Sequence, residues 1–247
     1  MTSWMSLLFG HFLGDFYFQW DRLAREKQTR WSSFLIHCLT YGICMGSGLY
    51  LWTGGFPMSL CLLATLIHGF IDLGKRLVQN KNRTVKKKGR GDFRLFLLDQ
   101  GLHLFTLFLL FLLVPLPSSQ PAWLAAWRGR GLPAPSRALP FLTGILFLGK
   151  PCAIGIRLFL QRFSFQEEEQ SKDDADTVHA GATIGILERM ILFFLGSLSQ
   201  YTAIAFVLTA KSVARFDRIQ KDRAFAEYYL IGTLTSSLLV LIATRIF

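Results

Sequence analysis

Three histidine–aspartate pairs interrupt the most apolar stretches of this chain, and all three have the same four-residue spacing. The pairs are His11 with Asp15, His68 with Asp72, and Asp99 with His103. Residues four apart lie on one face of an α-helix, with Cβ atoms about 5–6 Å apart, so each pair can present an imidazole and a carboxylate to one point. A further histidine, His37, lies alone in another apolar stretch. Ionisable groups are costly inside a membrane and indicate a functional site by default.

The composition identifies the class of protein. Hydrophobic residues make up 51% of the 247 positions and charged residues 17%, which predicts a polytopic membrane protein rather than a soluble domain. A membrane-crossing helix needs about 20 mostly apolar residues. The segments that meet this need are 3–20, 31–53, 57–75, 93–115, 139–160, 180–209 and 225–246. We therefore predict an all-α transmembrane bundle of about seven helices, with 139–160 kinked or re-entrant because Lys150 and Pro151 lie in its middle.

Basic residues give the chain a net charge of +11 and are concentrated in the loops at 21–30 and 75–90. Because basic loops usually face the cytoplasm, we expect a multi-pass protein of the bacterial inner membrane with its N-terminus outside. The basic loop at 211–223 falls outside if all seven segments cross and inside if 139–160 does not, so the number of crossings stays open. Membrane orientation accounts for the charge, and no nucleic-acid partner is expected.

The seven polar residues are predicted to lie at one depth. Counted from the cytoplasmic ends of their four helices, they lie 3 to 10 residues in. At a rise of 1.5 Å per residue, this places them in a layer about 5–15 Å from that end. Hydrogen bonding between helices would explain any one pair. Three carboxylates with little positive charge nearby favour a bound divalent cation instead. Gly14, Gly69 and Gly101 flank the polar residues and are expected to allow close helix packing.

Seven nitrogen and oxygen ligands exceed the four that one zinc ion usually takes. Either two metal ions, or one ion surrounded by further charged groups, fit this number. Imidazole together with carboxylate favours zinc, with manganese or iron as alternatives, over calcium. Gln19, Gln100 and Lys75 lie beside the predicted ligands, and we expect them to orient a ligand or the substrate.

The chain is predicted to have three parts: a four-helix membrane domain at 1–115, an outer loop rich in proline and tryptophan at 116–138, and C-terminal membrane helices at 139–247. Glu188 in the third part lies at the depth of the metal layer if its helix starts in the cytoplasm. It is then a further ligand or a general base. The alternative is an ion pair with Arg189 or Lys211. Lys211 and Arg215 form either a lipid-phosphate site or part of a basic belt at the membrane interface.

The words HFLGDFYFQW, HGFIDLGK and FLLDQGLHL resemble a family of bacterial polytopic membrane proteins described as a domain of unknown function. The family pattern HxLGDxxxQ, a lone His, HxxxD and DQxxH appears in order across about residues 8–105. The LER and AKSxxRF words are similar to the second half of longer members. The arrangement is also loosely similar to inner-membrane metal-dependent hydrolases. The resemblance implies metal ligands at His11, Asp15, His37, His68, Asp72, Asp99 and His103.

The predicted function is that of a membrane-embedded metal-dependent hydrolase. Its substrate would be a lipid or lipid-linked phosphoester at the cytoplasmic leaflet, with Asp99 or Glu188 moving the proton of a metal-activated water. The basic loop at 75–90 would attract anionic lipid headgroups. The first alternative is transport of a metal ion or protons, although no matching polar set lies at the opposite depth of the first four segments. The second is a non-catalytic scaffold with a structural metal site. The oligomeric state is open.

Overall fold

In the computed structural model, the described residues are 2–81, 90–115, 121–130, 137–163 and 175–247. All regular elements in these ranges are helical, which confirms the predicted all-α class. The chain forms two compact units, Met1–Leu146 and Phe147–Phe247. The predicted three-part division of the sequence stays a prediction. Half of the predicted basic loop at 75–90, namely 82–89, lies outside the described residues.

The first unit is a set of helices around a common interior. In chain order they are α1 (Thr2–Phe12), a π-turn (Leu13–Tyr17), α2 (Asp21–Glu26), α3 (Trp31–Thr53), α4 (Met58–Lys81), α5 (Arg90–Leu113), α6 (Ala122–Gly129) and most of α7 (Ala138–Leu148). Helix α3 packs against α1 and α4, and α5 packs against α4 and α1. Because each of these four helices contacts two of the others, their facing sides enclose one interior.

Glycines allow α1 and α3 to pack backbone against backbone. A Cβ atom on Gly10 would lie 2.9 Å from a Cα atom of α3, and one on Gly14 would lie 3.0 Å from another. One on Gly48 would lie 3.2 Å from the Cα atom of Gly10, so the close approach is mutual. Small residues at such crossings are typical of membrane helices. The expected close packing is confirmed at Gly14 and is wrong at Gly101, where a Cβ atom would meet nothing within 4 Å.

The first unit has apolar side chains on its outside and ionisable side chains inside. Leu98, Phe105 and Leu113 of α5 are each more than half exposed. The buried polar side chains include His11, Asp15, Lys27, His37, His68, Asp72, Asp99 and His103. An extended apolar outer surface indicates contact with something other than water.

Five stretches of the described residues are long and apolar enough to cross a membrane. They are Trp31–Thr53, Met58–Gln79, Phe93–Leu113, Ala138–Leu160 and Arg223–Ile246. These helices indicate a membrane protein, but the predicted total of seven is not confirmed. The predicted first segment forms α1 and the π-turn, which together are helical only from residue 2 to residue 17.

The second unit contains α8 (Lys150–Leu160), α9 (Ala175–Ser197), α10 (Tyr201–Ala214), α11 (Phe216–Lys221) and α12 (Arg223–Ile246). Helix α12 packs against α8 and α9, and α10 packs against α9. The interruption predicted in 139–160 is present at Gly149, between α7 and α8. The prediction of one continuous helix at 180–209 is wrong. The chain leaves the helix at residues 198–200, because Ser199 has a left-handed backbone with φ of 58°.

Candidate metal centre

Four buried side chains from three elements turn their ligand atoms toward one point. Asp15 comes from the π-turn, His37 from α3, and His68 and Asp72 from α4. One ligand atom from each of the four lies within 4.8 Å of all the others, and none of the residues is more than 7% exposed. We call this set the first ligand group. The structure thus brings together residues that are up to 57 positions apart in the chain.

The distances between these ligand atoms fit a metal ion. His37 Nε2 lies 3.0 Å from His68 Nε2 and 3.1 Å from Asp72 Oδ2. Asp15 Oδ1 lies 3.6 Å from His37 Nε2 and 4.0 Å from His68 Nε2. Ligands about 2.0–2.1 Å from a tetrahedral zinc ion are roughly 3.3 Å from each other, which lies inside this range. Two imidazoles and two carboxylates are also a donor set that suits a divalent transition metal.

A π-turn separates Asp15 from the histidine that precedes it by four residues. The backbone N–H of Phe18 donates to the carbonyl of Leu13, five residues back, at 2.8 Å. This wider turn changes the direction of the side chains within it, and such turns are frequent at functional sites. Asp15 therefore belongs to the first ligand group, whereas His11 does not.

His11 uses both of its ring nitrogens inside the protein. Its Nδ1 lies 3.3 Å from the hydroxyl of Tyr41, and its Nε2 lies 3.4 Å from Oε1 of Gln100. The amide nitrogen of Gln100 donates to Oδ2 of Asp15 at 2.9 Å and to Oδ2 of Asp99 at 3.2 Å. Because the Gln100 oxygen can only accept, His11 carries its proton on Nε2 and accepts from Tyr41 at Nδ1. The structure therefore places His11 as a group that orients Gln100, and Gln100 as the link between two carboxylates.

A second ligand group lies beside the first. It consists of Asp72, Asp99 and His103, whose ligand atoms are again within 4.8 Å of one another. Asp72 belongs to both groups. The ring centres of His68 and His103 are 4.5 Å apart, so the two groups adjoin. All of the predicted ligands except His11 therefore lie in one group or the other.

Two lysines reach the carboxylates of these groups. Lys75 Nζ lies 2.6 Å from Oδ2 of Asp99, so it contacts the site beside which the sequence placed it. Lys27 Nζ lies 2.6 Å from Oδ2 of Asp72 and donates to Oε1 of Gln19 at 2.6 Å. Gln19 is thereby joined to the site through Lys27.

Lys27 is a residue of the site that the sequence does not reveal. It lies in a loop whose basic residues predict only the orientation of the chain, yet it reaches into the interior and is 5% exposed. The expectation that the carboxylates have little positive charge nearby is therefore wrong. A long, flexible side chain in a loop has no helical spacing that would have placed it. Three carboxylates still face two lysines, so the cluster retains an excess of negative charge when its histidines are neutral.

The segment that carries Lys27 is held in place by hydrogen bonds. Glu26, next to it, accepts from Arg22 at 2.7 Å and from Ser33 at 3.1 Å. These two bonds hold the pKa of Glu26 below its usual range. Arg76 of α4 donates to a backbone carbonyl of the same segment at 3.0 Å. The position of Lys27 over Asp72 is therefore set by contacts outside the ligand groups.

Replacing Lys27 with methionine should destabilise the metal-free protein by about 3–5 kcal/mol, because it leaves the Asp72 carboxylate buried without its ammonium partner. Added zinc should then raise the melting temperature more in this variant than in the unchanged protein, since the metal supplies the missing positive charge. Thermal unfolding with chelator and with zinc would measure both effects. Arg25→Met is the matched control, because Arg25 lies on α2 and is exposed. Equal losses in both variants would contradict the role of Lys27.

The family to which this chain belongs follows from the same stretch of sequence. The model of the family described as "Protein of unknown function (DUF3307)" matches residues 4–128, which is just over half of the 247 residues. The chain belongs to this family. The matched stretch contains both ligand groups, the lysines that contact them and the His11–Gln100 pair. Nothing among curated proteins and nothing among solved structures matches the chain.

The polar residues predicted in the second unit form contacts of their own. Lys211 donates to Oε2 of Glu188 at 2.5 Å, and its Nζ lies 5.4 Å from the ring centre of Tyr229. Buried Arg189 donates to the carbonyl of Leu148 at 2.7 Å. The Glu188–Lys211 ion pair is one of the alternatives that the sequence left open. A catalytic role for Glu188, and a role in lipid binding for Lys211 and exposed Arg215, stay predictions.

Proposed function

We propose that this protein is a membrane-embedded, metal-dependent hydrolase. Its substrate is a lipid or lipid-linked phosphoester that reaches the site from the cytoplasmic leaflet of the bacterial inner membrane. The first ligand group binds a divalent transition metal, zinc before manganese or iron. The observation that carries the proposal is the convergence of four buried ligand atoms at metal-ligand distances. In this proposal the chain crosses the membrane about seven times, with its N-terminus outside.

An apolar layer supports access from one side only. It consists of Leu7, Tyr41, Met45, Leu49, Leu60, Cys61, Ala64, Leu107 and Leu110. These residues precede the buried histidine in α1 and α4 and follow it in α3 and α5. The contacts of His37 with His68 and of Gly42 with Thr65 show that α3 and α4 are antiparallel. The neighbouring pairs α1 with α3, α4 with α5 and α1 with α5 are antiparallel as well. The layer therefore lies on one side of the ligand groups. A transporter needs polar groups along the whole path, so this arrangement favours an enzyme.

Lys75 lies at the accessible edge of the site. Its side chain is 21% exposed, whereas the side chain of Asp99, with which it pairs, is 2% exposed. Lys27 by comparison is almost completely buried. An ammonium group in this position attracts an anionic headgroup and directs it toward the ligand groups. We therefore assign the contact with the substrate to the Lys75 ammonium group rather than to the basic loop that follows α4.

The residues around the ligand groups can position the reactants and accept a proton. A bound divalent ion would supply Lewis acidity and a water of lowered pKa. Lys75 and Gln100 hold Oδ2 of Asp99, while Oδ1 of Asp99 is buried and has no hydrogen-bond partner among the described residues. Asp99 is therefore fixed in orientation, with one oxygen available either to accept a proton or to bind a metal ion. Burial of the whole cluster excludes bulk water, which strengthens each of these interactions.

The purified full chain should release phosphate or a phosphorylated headgroup from vesicles of mixed bacterial lipids. Activity should disappear with chelator and return with zinc or manganese. The double variant His37→Ala/His68→Ala should lose at least about 1000-fold in rate, because metal-ion catalysis contributes several kcal/mol and each 1.36 kcal/mol is tenfold. Arg25→Met, which changes an exposed residue on α2, should retain full activity.

The same vesicles distinguish the alternatives. Full activity in the double histidine variant would overturn the proposal. Zinc or proton flux across the vesicle membrane, without hydrolysis, would support transport instead. Bound metal with neither turnover nor flux, together with lower stability of the double variant, would support the scaffold.

A further inference from the structure

We infer that the second ligand group is a second metal site, so that Asp72 bridges two metal ions held by Asp15, His37 and His68 on one side and by Asp99 and His103 on the other. This inference rests on the first metal site of the proposed function and extends it to a two-metal centre for phosphoesters. The inference is supported by the fact that the two ligand groups lie side by side, and not by the number of acidic residues.

The strongest observation is a pair of buried acceptor atoms without donors. Nδ1 of His103 donates to the backbone carbonyl of Asp99 at 2.8 Å, which leaves Nε2 with its lone pair. That Nε2 is buried and has no hydrogen-bond partner among the described residues, and the same is true of Oδ1 of Asp99. His103 is 2% exposed and Asp99 4%. Both residues belong to the second ligand group, and a buried acceptor is costly unless a cation or a donor satisfies it.

Neighbouring hydrogen bonds hold these ligand atoms in place. The backbone bond of His103 fixes its tautomer and ring direction, as is usual for histidines that bind metals. Lys75 and Gln100 hold the other oxygen of Asp99. Asp72 has two carboxylate oxygens, and its membership of both groups gives it the place of a bridging ligand. Each metal ligand of the second group is therefore held in position by its own contacts.

The charge of a two-metal centre points to the class of substrate. Three carboxylates and two lysines surround the site. The charge of two divalent cations exceeds this small negative excess. The site with both metal ions bound is therefore strongly cationic and requires an anion. A phosphate group, with several charged oxygens, can face both ions, as in two-metal phosphatases and nucleases. A neutral carboxylic ester would not balance this charge. The inference therefore favours phosphoesters.

The test counts metal on the full-length protein in detergent, independently of any turnover. After loading with zinc and removal of the excess, elemental mass spectrometry should find two ions per chain in the unchanged protein and one in His103→Gln. The second dissociation constant should rise at least about 10–100-fold in this variant. Inorganic phosphate, the anionic probe, should bind to the two-ion protein by calorimetry and at least tenfold more weakly to His103→Gln. Gly101→Ala is the control, because a Cβ there meets nothing within 4 Å.

Each outcome decides the inference. One ion per chain in the unchanged protein overturns it, and that result needs no variant to fold. Two ions in both proteins place the second site elsewhere and also overturn it. Two ions reduced to one, without any hydrolysis of lipid phosphoesters, would sustain the two-metal site while refuting the proposed activity. If the unchanged protein binds no metal at all, both the two-metal site and the proposed function are refuted.

Discussion

Replacing Asp72 with asparagine is expected to remove nearly all bound metal and to lower hydrolytic turnover at least about 1000-fold. Asp72 belongs to both ligand groups and is the partner of Lys27, so this one change affects every ion in the centre. An amide keeps the size of the side chain but is neutral and offers only one oxygen. The Lys27 ammonium also loses its charged partner. No other single ligand has contacts with both groups and with a buried cation.

Metal content by mass spectrometry and phosphate release from lipid vesicles would measure these two effects. Asp21→Asn is the matched control, since Asp21 is an exposed aspartate of the same unit. It should bind metal and react like the unchanged protein. The idea fails if Asp72→Asn folds, as judged by its thermal transition, and still holds stoichiometric metal.

Replacing Gly10 with valine is expected to abolish metal binding without changing a ligand. A Cβ atom there would lie 2.9 Å from Cα of Met45 and 3.2 Å from the carbonyl of Cys44, which are backbone atoms that cannot turn away. Helices α1 and α3 must then separate, and Asp15 moves away from His37. We expect a loss of about 1–3 kcal/mol in the free energy of unfolding, as for an overpacked core.

Gly101→Val is the matched control, because a Cβ atom at Gly101 meets nothing within 4 Å although the residue lies beside Gln100. Thermal unfolding and metal content should both change far less in this variant. Similar losses in the two variants would show that any bulk near the ligand groups disturbs them. The close packing of α1 on α3 would then have no special part in placing Asp15.

The repeated four-residue spacing and the common depth were enough to predict that the polar residues meet inside a helical bundle. Hydrophobic periodicity and helix rise are local properties, and they fix which residues share a layer. They do not fix what each residue contacts within that layer. Gln100 follows Asp99 directly, so its Cβ lies about 100° away around the helix, yet its flexible amide reaches both Asp15 and Asp99.

Other parts of the site depend on features that spacing does not encode. His11 and Asp15 were paired on the assumption of a regular α-helix, and the π-turn between them separates their roles. Lys27 depends on the path of a loop. Tyr41, which contacts His11 and stacks on His68 at 3.7 Å between ring centres, did carry a signal. It follows His37 by four residues and so shares its face of the helix.

The π-turn also separates two properties of the first helical segment: how closely α1 packs on α3, and in which direction the Asp15 side chain points. Upstream of it, Gly10 sets how closely α1 approaches α3, while Asp15 within it faces the ligand groups. If the same residues formed regular α-helix at unchanged chain length, the part of the chain after the turn would be rotated by about 100° against α1. Either the glycine face or the carboxylate would then point wrongly. A change that removes the wider turn without shortening the chain should therefore be far less tolerated than a conservative change of side chain.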